Sequence, residues 1–258
     1  MHILVTNDDG VFAPGLLALV QALRPLGKIT VLAPERNWSA SGHVKTLHRP
    51  LRVKEVKLAD DSPALASDGA PSDCVALALL GLVKESIDLV VSGINPYANL
   101  GYDLTYSGTV TAAMEAVIGR LPALAVSVDG SEEAQVTDYG PAARTACQVA
   151  ELVMAHKLPP NVLLNVNVPA LSEDKLQGWR ITRQGTRIYR DQLLTRADPR
   201  GRPYYWIGGE APTGMLTEGT DIGALAAGFV SITPVTLDLT AYNLISEMEQ
   251  WINNLSQK

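Results

Sequence analysis

The sequence is poor in cysteine and has no long apolar run. Its 258 residues include two cysteines, Cys74 and Cys147, and these do not form a Cys-x-x-Cys pair. Isolated cysteines of this kind predict reduced core side chains in a cytoplasmic protein. No run of about 18 apolar residues occurs, so no membrane span is expected. The N-terminal apolar run ends at Asn7-Asp8-Asp9, too early for a signal peptide.

Positive charge is also in short supply. The chain carries 21 basic and 27 acidic residues, which gives a net charge of -6. This balance disfavours non-specific binding to a nucleic acid polymer or to an anionic membrane surface. A small phosphorylated substrate stays possible, because the local field at a site matters more than the net charge.

Three nucleotide and hydrolase motifs are missing. The sequence has no GxxxxGK[ST] loop and no GxGxxG after its first predicted strand, which disfavours P-loop and dinucleotide sites. It also lacks a GxSxG elbow, so a Ser–His–Asp hydrolase built on Ser39 or Ser41 is disfavoured. The function must therefore be sought in other residues.

Short β-branched segments alternate with stretches of helical periodicity. Strands are predicted at 2–6, 29–33, 88–92, 122–128, 162–168 and 228–233, and helices at 15–26, 72–85, 109–120, 141–156 and 241–255. Continuously apolar strands alternating with helices predict an α/β fold, a mostly parallel sheet with helices on both faces.

One segment departs from this pattern. Between about 186 and 210, aromatic and basic residues surround the turn sequence DPRGRP, which predicts a protruding β-hairpin arm. We expect a single domain over 1–258, with its core at about 1–185 and 211–240. The aromatic arm is too apolar to stay in water, so we expect it to pack on another copy, in a homodimer or homotetramer. An arm folded onto its own domain is the alternative.

The sharpest local signal is the acidic pair Asp8-Asp9, directly after the first strand. Two adjacent carboxylates repel each other, and their burial is favourable when they share a cation. Hard oxygen ligands suit one Mg²⁺ or Mn²⁺ ion. The alternative is an ordinary polar turn, with one aspartate capping the following helix.

Other oxygen ligands are predicted at the same edge of the sheet. Ser39 and Ser41 follow the second strand, and Asn95 follows the strand at 88–92. Ligands of open parallel sheets bind outside the carboxyl ends of the strands, so these loops are expected to meet. Each residue also has a simpler interpretation when it is taken alone. Ser39 would be an exposed loop hydroxyl, and Asn95 would be a turn residue before Pro96.

Ser107-Gly108-Thr109 opens a predicted helix. Its free N–H groups and the positive end of the helix dipole favour an anion such as phosphate. An ordinary helix cap by Ser107 or Thr109 is the competing interpretation. His43 is a candidate to protonate a leaving alkoxide or to orient a water, although a lone loop histidine is more often an exposed polar residue.

Taken together, these segments resemble the SurE family. The resemblance spans nearly the whole chain in order, and the stretches that carry it are ILVTNDDG (3–10), APERNWSASGH (33–43), GAPSDCVAL (69–77), DLVVSGIN (88–95), NLGYDLTYSGTVTAAMEA (99–116) and GFVSITP (228–234). It implies a Rossmann-like core and dimers or tetramers that exchange C-terminal elements, including the terminal helix at 241–255.

The resemblance also implies an activity, the dephosphorylation of nucleoside 5'- and 3'-monophosphates. It makes Asp8, Asp9, Ser39 and Asn95 the metal ligands and places Ser107, Gly108 and Thr109 near the phosphate. One departure is Pro96-Tyr97, where many members carry a small or basic residue followed by glycine. This change lies beside a ligand and bears on selectivity more than on catalysis.

The expected chemistry is metal-dependent phosphomonoester hydrolysis. Asp8 or Asp9 would accept a proton from an attacking water, and the N–H groups at 108–109 would hold the non-bridging oxygens. Direct attack by an aspartate is the less favoured route. Two other functions stay open: a nucleotide-binding module without turnover, and a phosphatase for another substrate such as short polyphosphate.

Overall fold

The computed structural model describes residues 1–130 and 136–255 of the chain. Its strands are β1 (His2–Thr6), β2 (Lys28–Pro34), β3 (Val53–Lys57), β4 (Pro63–Ser67), β5 (Leu89–Asn95), β6 (Ala123–Asp129), β7 (Val162–Pro169), β8 (Trp179–Ile181), β9 (Arg187–Ala197), β10 (Pro203–Gly214) and β11 (Val230–Thr236). Its α-helices are α1 (Pro14–Leu23), α2 (Pro71–Leu77), α3 (Gly108–Ile118), α4 (Gly140–His156), α5 (Asp221–Ala226) and α6 (Tyr242–Leu255). No helix in these described ranges is long and apolar enough to cross a bilayer.

The central sheet is mostly parallel, as predicted. Within the described residues its nine strands follow the order β3-β4-β2-β1-β5-β6-β7-β11-β8. Neighbouring strands run parallel from β4 through to β7, and β3 and β11 pair antiparallel with β4 and β7. The chain winds from β1 towards β2 on one side and later adds β5 on the other. The winding therefore reverses between β1 and β5, and ligands of such sheets bind in the crevice at this reversal.

Helices cover both faces of the sheet. On one face, α1 and α4 pack Leu16, Leu19, Val149 and other apolar side chains against β1, β5 and β6. On the opposite face, α2 and α3 bury a second apolar cluster that includes Val75. Because both faces are covered, the strands between them are apolar on both sides, which is the pattern that the sequence shows.

Some element boundaries were predicted wrongly. The helix predicted at 72–85 ends at Leu77 and passes into a π-type turn at Ala78–Leu82. Gly81 has a φ of 109° there, a conformation that ends the helix and that glycine adopts without strain. The prediction also missed β3, β4, β8 and α5, which are short or rich in polar residues.

The predicted hairpin arm is confirmed. Strands β9 and β10 pair antiparallel from Pro203 opposite Ala197 to Gly214 opposite Arg187, so the hairpin runs slightly beyond its predicted end at 210. Its large apolar side chains are exposed, including Leu193 at 69% and Ile207 at 84%. Helix α6 follows the sheet and likewise exposes Met248 and Trp251.

Candidate active site

Asp8 lies at the carboxyl end of β1, in the crevice where the winding reverses. The preceding Asn7 shapes the turn, since its side chain exchanges hydrogen bonds with the backbone of Gly10. The Asp8 side chain is buried, and its Oδ1 accepts a 2.5 Å hydrogen bond from Thr109 Oγ1. Burial raises the pKa of Asp8, and the bonds from Thr109 and the backbone oppose that rise.

The N-terminus of α3 lies directly against Asp8. A side chain at position 108 would place its Cβ 2.6 Å from the Asp8 Cβ, so glycine permits this close approach. Backbone N–H groups of Gly108 and Thr109 favour the ionised form of Asp8. Ser107 is the helix cap, because its Oγ accepts the N–H of Val110 at 3.1 Å. The first turn of α3 thus already favours negative charge at this point.

Asp9 has an oxygen with no partner. Its Oδ2 is buried and makes no hydrogen bond among the described residues, and its Oδ1 lies 3.5 Å from Asn37 Nδ2. Burial, helped by the neighbouring charge of Asp8, raises the pKa of Asp9 to about 7. A buried carboxylate oxygen without a donor is costly, and a cation would relieve that cost.

The loop after β2 brings Ser39 to the same place. Trp38 N–H donates to the Asp8 carbonyl at 2.8 Å, and Ser39 N–H donates to Asn37 Oδ1 at 2.7 Å. The loop turns sharply at Ala40, whose φ of 55° lies in the left-handed region. Ser39 is exposed and directly follows Trp38, whose N–H contacts Asp8.

Asn95 comes to the crevice from β5. Strands β1 and β5 pair Thr6 with Ser92, so Asp9 and Asn95 each stand three residues beyond a paired position. Asn95 Nδ2 donates to the carbonyl of Tyr97 at 2.5 Å, which leaves its Oδ1 as the available acceptor. The turn at Pro96-Tyr97 therefore fixes the amide, and its oxygen accepts no hydrogen bond from the described residues.

His43 is bound to a carboxylate that the sequence interpretation overlooked. Its Nε2 lies 3.0 Å from Glu115 Oε2, and Lys45 Nζ lies 3.0 Å from Glu115 Oε1. Glu115 is seven residues beyond Gly108 on α3, about 10 Å along the helix axis. The hydrogen bonds to His43 and Lys45 lower the pKa of Glu115, with the His43 bond as the largest cause. His43 thus faces the flank of α3.

A buried amide network supports the loop after Asn95. Asn99 N–H donates to Asn167 Oδ1 at 2.8 Å, and the Asn99 carbonyl accepts from both Asn165 Nδ2 and Asn167 Nδ2. Asn99 Nδ2 also donates to Ser127 Oγ at 2.8 Å. The signal for this network was present in the sequence, since Asn165 and Asn167 stand on one face of an otherwise apolar strand.

The donor chemistry of the crevice fits a hard divalent cation. Asp8, Asp9, Ser39 and Asn95 offer carboxylate, hydroxyl and amide oxygens, the ligand types that Mg²⁺ and Mn²⁺ take. Two oxygens that accept no hydrogen bond within the described part of the chain, Asp9 Oδ2 and Asn95 Oδ1, favour such an ion. Across residues 1–130 and 136–255, no cluster of three or more His, Cys, Asp and Glu side chains could hold a metal, so this set depends on neutral oxygens.

Known proteins resemble this chain over almost its full length. The family described as "Survival protein SurE" matches residues 3–191. The chain is 55% identical to "5'-nucleotidase SurE" of Herpetosiphon aurantiacus, over 99% of this chain and 97% of that protein. It is 51% identical to the protein of the same name from Chloroflexus aggregans, over 97% and 99%.

A solved structure extends the likeness to three dimensions. The crystal structure of the SurE protein from Aquifex aeolicus superposes with a TM-score of 0.81 at 38% identity, and covers 97% of this chain and 99% of that one. With a family match over most of its length and relatives that share about half of its residues, the chain belongs to the SurE family.

Proposed function

We propose that this protein is a metal-dependent phosphomonoesterase that hydrolyses nucleoside 5'-monophosphates, and also 3'-monophosphates, to nucleoside and phosphate. Relatives that share about half of its residues carry the name 5'-nucleotidase. The observation that carries the proposal is the crevice between β1 and β5. It gathers the buried carboxylate of Asp8, the half-buried carboxylate of Asp9 and the N-terminus of a helix, and the Asp9 Oδ2 has no partner among the described residues.

Asp8, Asp9, Ser39 and Asn95 would hold one Mg²⁺ or Mn²⁺ ion. Such an ion, when bound, neutralises charge on the phosphoryl group and lowers the pKa of a bound water. The N–H groups of Gly108 and Thr109 would orient the phosphate beside Asp8, and Ser107 would hold that turn in place.

The chain's own groups supply the proton transfers. A water oxygen forms the new bond to phosphorus, the bond to the nucleoside oxygen breaks, and one water proton goes to an aspartate. Asp9 is better placed than Asp8 to accept it, because Asp8 Oδ1 already accepts from Thr109. His43 is proposed as the acid for the leaving alkoxide. Its Nε2 pairs with Glu115 Oε2 on the flank of α3.

A phosphate-release assay tests the proposal. The purified protein is compared on nucleoside monophosphates, sugar phosphates and short polyphosphate, with Mg²⁺, with Mn²⁺ and with excess chelator. We expect release from nucleoside monophosphates that chelator abolishes and added metal restores. Full release in metal-free protein with chelator would refute the metal role, and a preference for polyphosphate would replace the proposed substrate.

We also propose that the protein is a homodimer or homotetramer in which the arm at about 186–210 and α6 are buried between copies. The exposed apolar side chains of both elements support this assembly. The proposed domain organisation is one domain over 1–258, with the arm and the terminal helix as its extensions. The proposed location is the cytoplasm, since the two cysteines are unpaired.

A further inference from the structure

The 3₁₀ turn at Gly101–Thr105 lies between the arm and the proposed site. On the site side, the Asp103 carbonyl accepts the N–H groups of Tyr106 at 3.0 Å and Ser107 at 3.1 Å. The Tyr106 carbonyl in turn accepts the N–H of Gly42, at 2.9 Å, in the loop after β2. One turn therefore supports both the start of α3 and the loop that carries the serine ligand.

The side chain of the same aspartate binds the arm. Arg187 Nε donates to Asp103 Oδ2 at 2.6 Å, and the Tyr189 hydroxyl donates to Oδ1 at 2.6 Å. The Arg187 and Asp103 side chains are only 17% and 19% exposed, so water screens this pair less than a surface ion pair. Burial, together with the bond to Asp103, raises the pKa of the Tyr189 hydroxyl.

A second carboxylate joins the turn to the base of the arm. Asp221 is fully buried, and it accepts the N–H groups of Gly101 at 2.8 Å and of Gly185 at 2.7 Å. A side chain at position 101 would place its Cβ 2.5 Å from the Gly185 carbonyl oxygen. The backbone of the turn and the backbone at the start of the arm are therefore in close contact, and a displacement of one displaces the other.

We propose that Arg187 and Tyr189 are positioning residues for substrate binding. Through Asp103 they hold the turn that sets the place of Ser107 and Gly108, where the phosphate would bind. The arm thereby affects the affinity of the site for substrate, although the arm itself lies outside the site. This inference rests on the proposed function, and it adds Arg187, Tyr189 and Asp103 to the residues on which that function depends.

The first test separates substrate affinity from turnover. Arg187→Gln removes the charge from the pair, and we expect KM for a nucleoside monophosphate to rise by about 5- to 50-fold, the range of typical coupling between sites. The maximal rate should change much less, because the lost interaction serves substrate and transition state alike. Tyr189→Phe should give a smaller rise of the same kind, and Arg187→Lys should recover part of the affinity.

Arg190→Gln is the matched control. Arg190 lies on the same strand, but its side chain contacts Thr213 and Glu210, which both belong to the hairpin. We expect wild-type KM from this variant. A KM for Arg187→Gln equal to that of Arg190→Gln would overturn the inference. The inference would also be overturned if KM rose only in variants that no longer have the wild-type mass by light scattering.

Hydrogen exchange gives a readout that does not depend on turnover. The Tyr106 and Ser107 amides bond to the Asp103 carbonyl, so in metal-free Arg187→Gln they should exchange at least about tenfold faster than in wild type, as the turn loosens. Unchanged exchange would contradict the inference. If wild type releases no phosphate from any nucleotide, the proposed function fails, and this measurement still decides the role of the pair.

Discussion

The crevice between β1 and β5 lacks partners for buried polar groups, whereas the hairpin arm lacks cover for exposed apolar groups. The crevice buries polar groups, among them Asp9 Oδ2, for which the described residues provide no partner. The arm exposes apolar groups, among them Ile207 and Leu193, which face each other across the hairpin. A buried oxygen of this kind favours a cation, whereas an exposed apolar surface favours a protein partner.

The two regions are therefore tested by different substitutions, which change charge in the crevice and apolar surface on the arm. A change of charge in the crevice acts on ligand binding and leaves the packing of the sheet intact. A change of apolar surface on the arm acts on association and leaves the crevice ligands in place.

Asp8→Asn should have the largest effect. It keeps the size of the side chain and removes one negative charge from the proposed cation site. We expect turnover to fall by a factor on the order of 10²–10⁴ at saturating Mn²⁺, the scale seen when electrostatic or acid–base groups are lost. Phosphate release and melting temperature, with and without metal, measure it.

Asp61→Asn is the control for that change. Its side chain is exposed in a surface turn, 3.9 Å from Lys57 Nζ, and asparagine tolerates its φ of 62°. Turnover should equal that of wild type. Near-wild-type turnover in Asp8→Asn would contradict the metal-site assignment, and a loss of stability alone would favour a simple turn cap.

Ile207→Glu tests the arm. A charge placed in an apolar interface is unfavourable, so we expect the assembly to dissociate at micromolar protein, with the dissociation constant raised about 10²-fold or more. Light scattering measures the mass, and Arg200→Ser at the tip of the hairpin is the control. A wild-type mass for Ile207→Glu would show that the arm does not hold the copies together.

The pH dependence of stability sharpens the view of the crevice. The pKa of Asp9 is about 7 in the folded protein, above the ordinary value for aspartate, so the folded state binds more protons than the unfolded state between about pH 4 and 7. Metal-free protein should therefore lose stability as pH rises from about 4 to about 7, by at most about 4 kcal/mol in total. Denaturant unfolding along a pH series measures this loss.

Asp9→Asn provides the comparison, because it removes the group that titrates. The loss of unfolding free energy with rising pH should be larger in wild type than in Asp9→Asn. This difference should be small near pH 4 and reach its full size around pH 7. Parallel profiles for the two proteins would show that Asp9 titrates normally and is not desolvated in the crevice.

The smallest effect concerns backbone strain beside Ser39. Ala40 has a φ of 55°, which is unfavourable for a residue with a Cβ. Ala40→Gly should raise the free energy of unfolding by roughly 0.5–1 kcal/mol, after allowance for the greater freedom of glycine in the unfolded chain. Ala18→Gly, inside α1, should lower it by about 1 kcal/mol. If the two substitutions changed the free energy of unfolding in the same direction, backbone strain at Ala40 would be ruled out.

The periodicity of the sequence predicted the framework of the fold. The strands β1, β2, β5, β6 and β7 are mostly apolar and alternate with helical segments, so both their existence and their parallel direction followed from the pattern. Asp8, Asp9 and Asn95 could be placed at one edge because they follow directly after such strands. Thr109 was predicted beside the phosphate, but its contact with Asp8 was not predicted.

What escaped prediction depends on contacts between distant segments. Nothing near His43 in the sequence points to Glu115, which lies on a helix that α/β packing brings alongside the loop. The strand β3 (Val53–Lys57) lies at a sheet edge and has two partly buried valines among exposed charged residues, so its signal was weak. The link between Asp103 and Arg187 joins residues 84 positions apart, and local periodicity carries no information about it.

The fully buried carboxylate of Asp221 has a consequence for the order of folding. Its acceptor oxygens are satisfied by Gly101, by Gly185 and by Ile222, segments up to 120 positions apart. Until the segments of Gly101 and Gly185 have docked, burial would leave this carboxyl without two of its donors, so we expect the two segments to join late and in a single cooperative step. Pulse-labelling hydrogen exchange during refolding would show the Gly101 and Gly185 amides gaining protection together, after the strands of the central sheet. The edge of the crevice would then be among the last parts of the molecule to form.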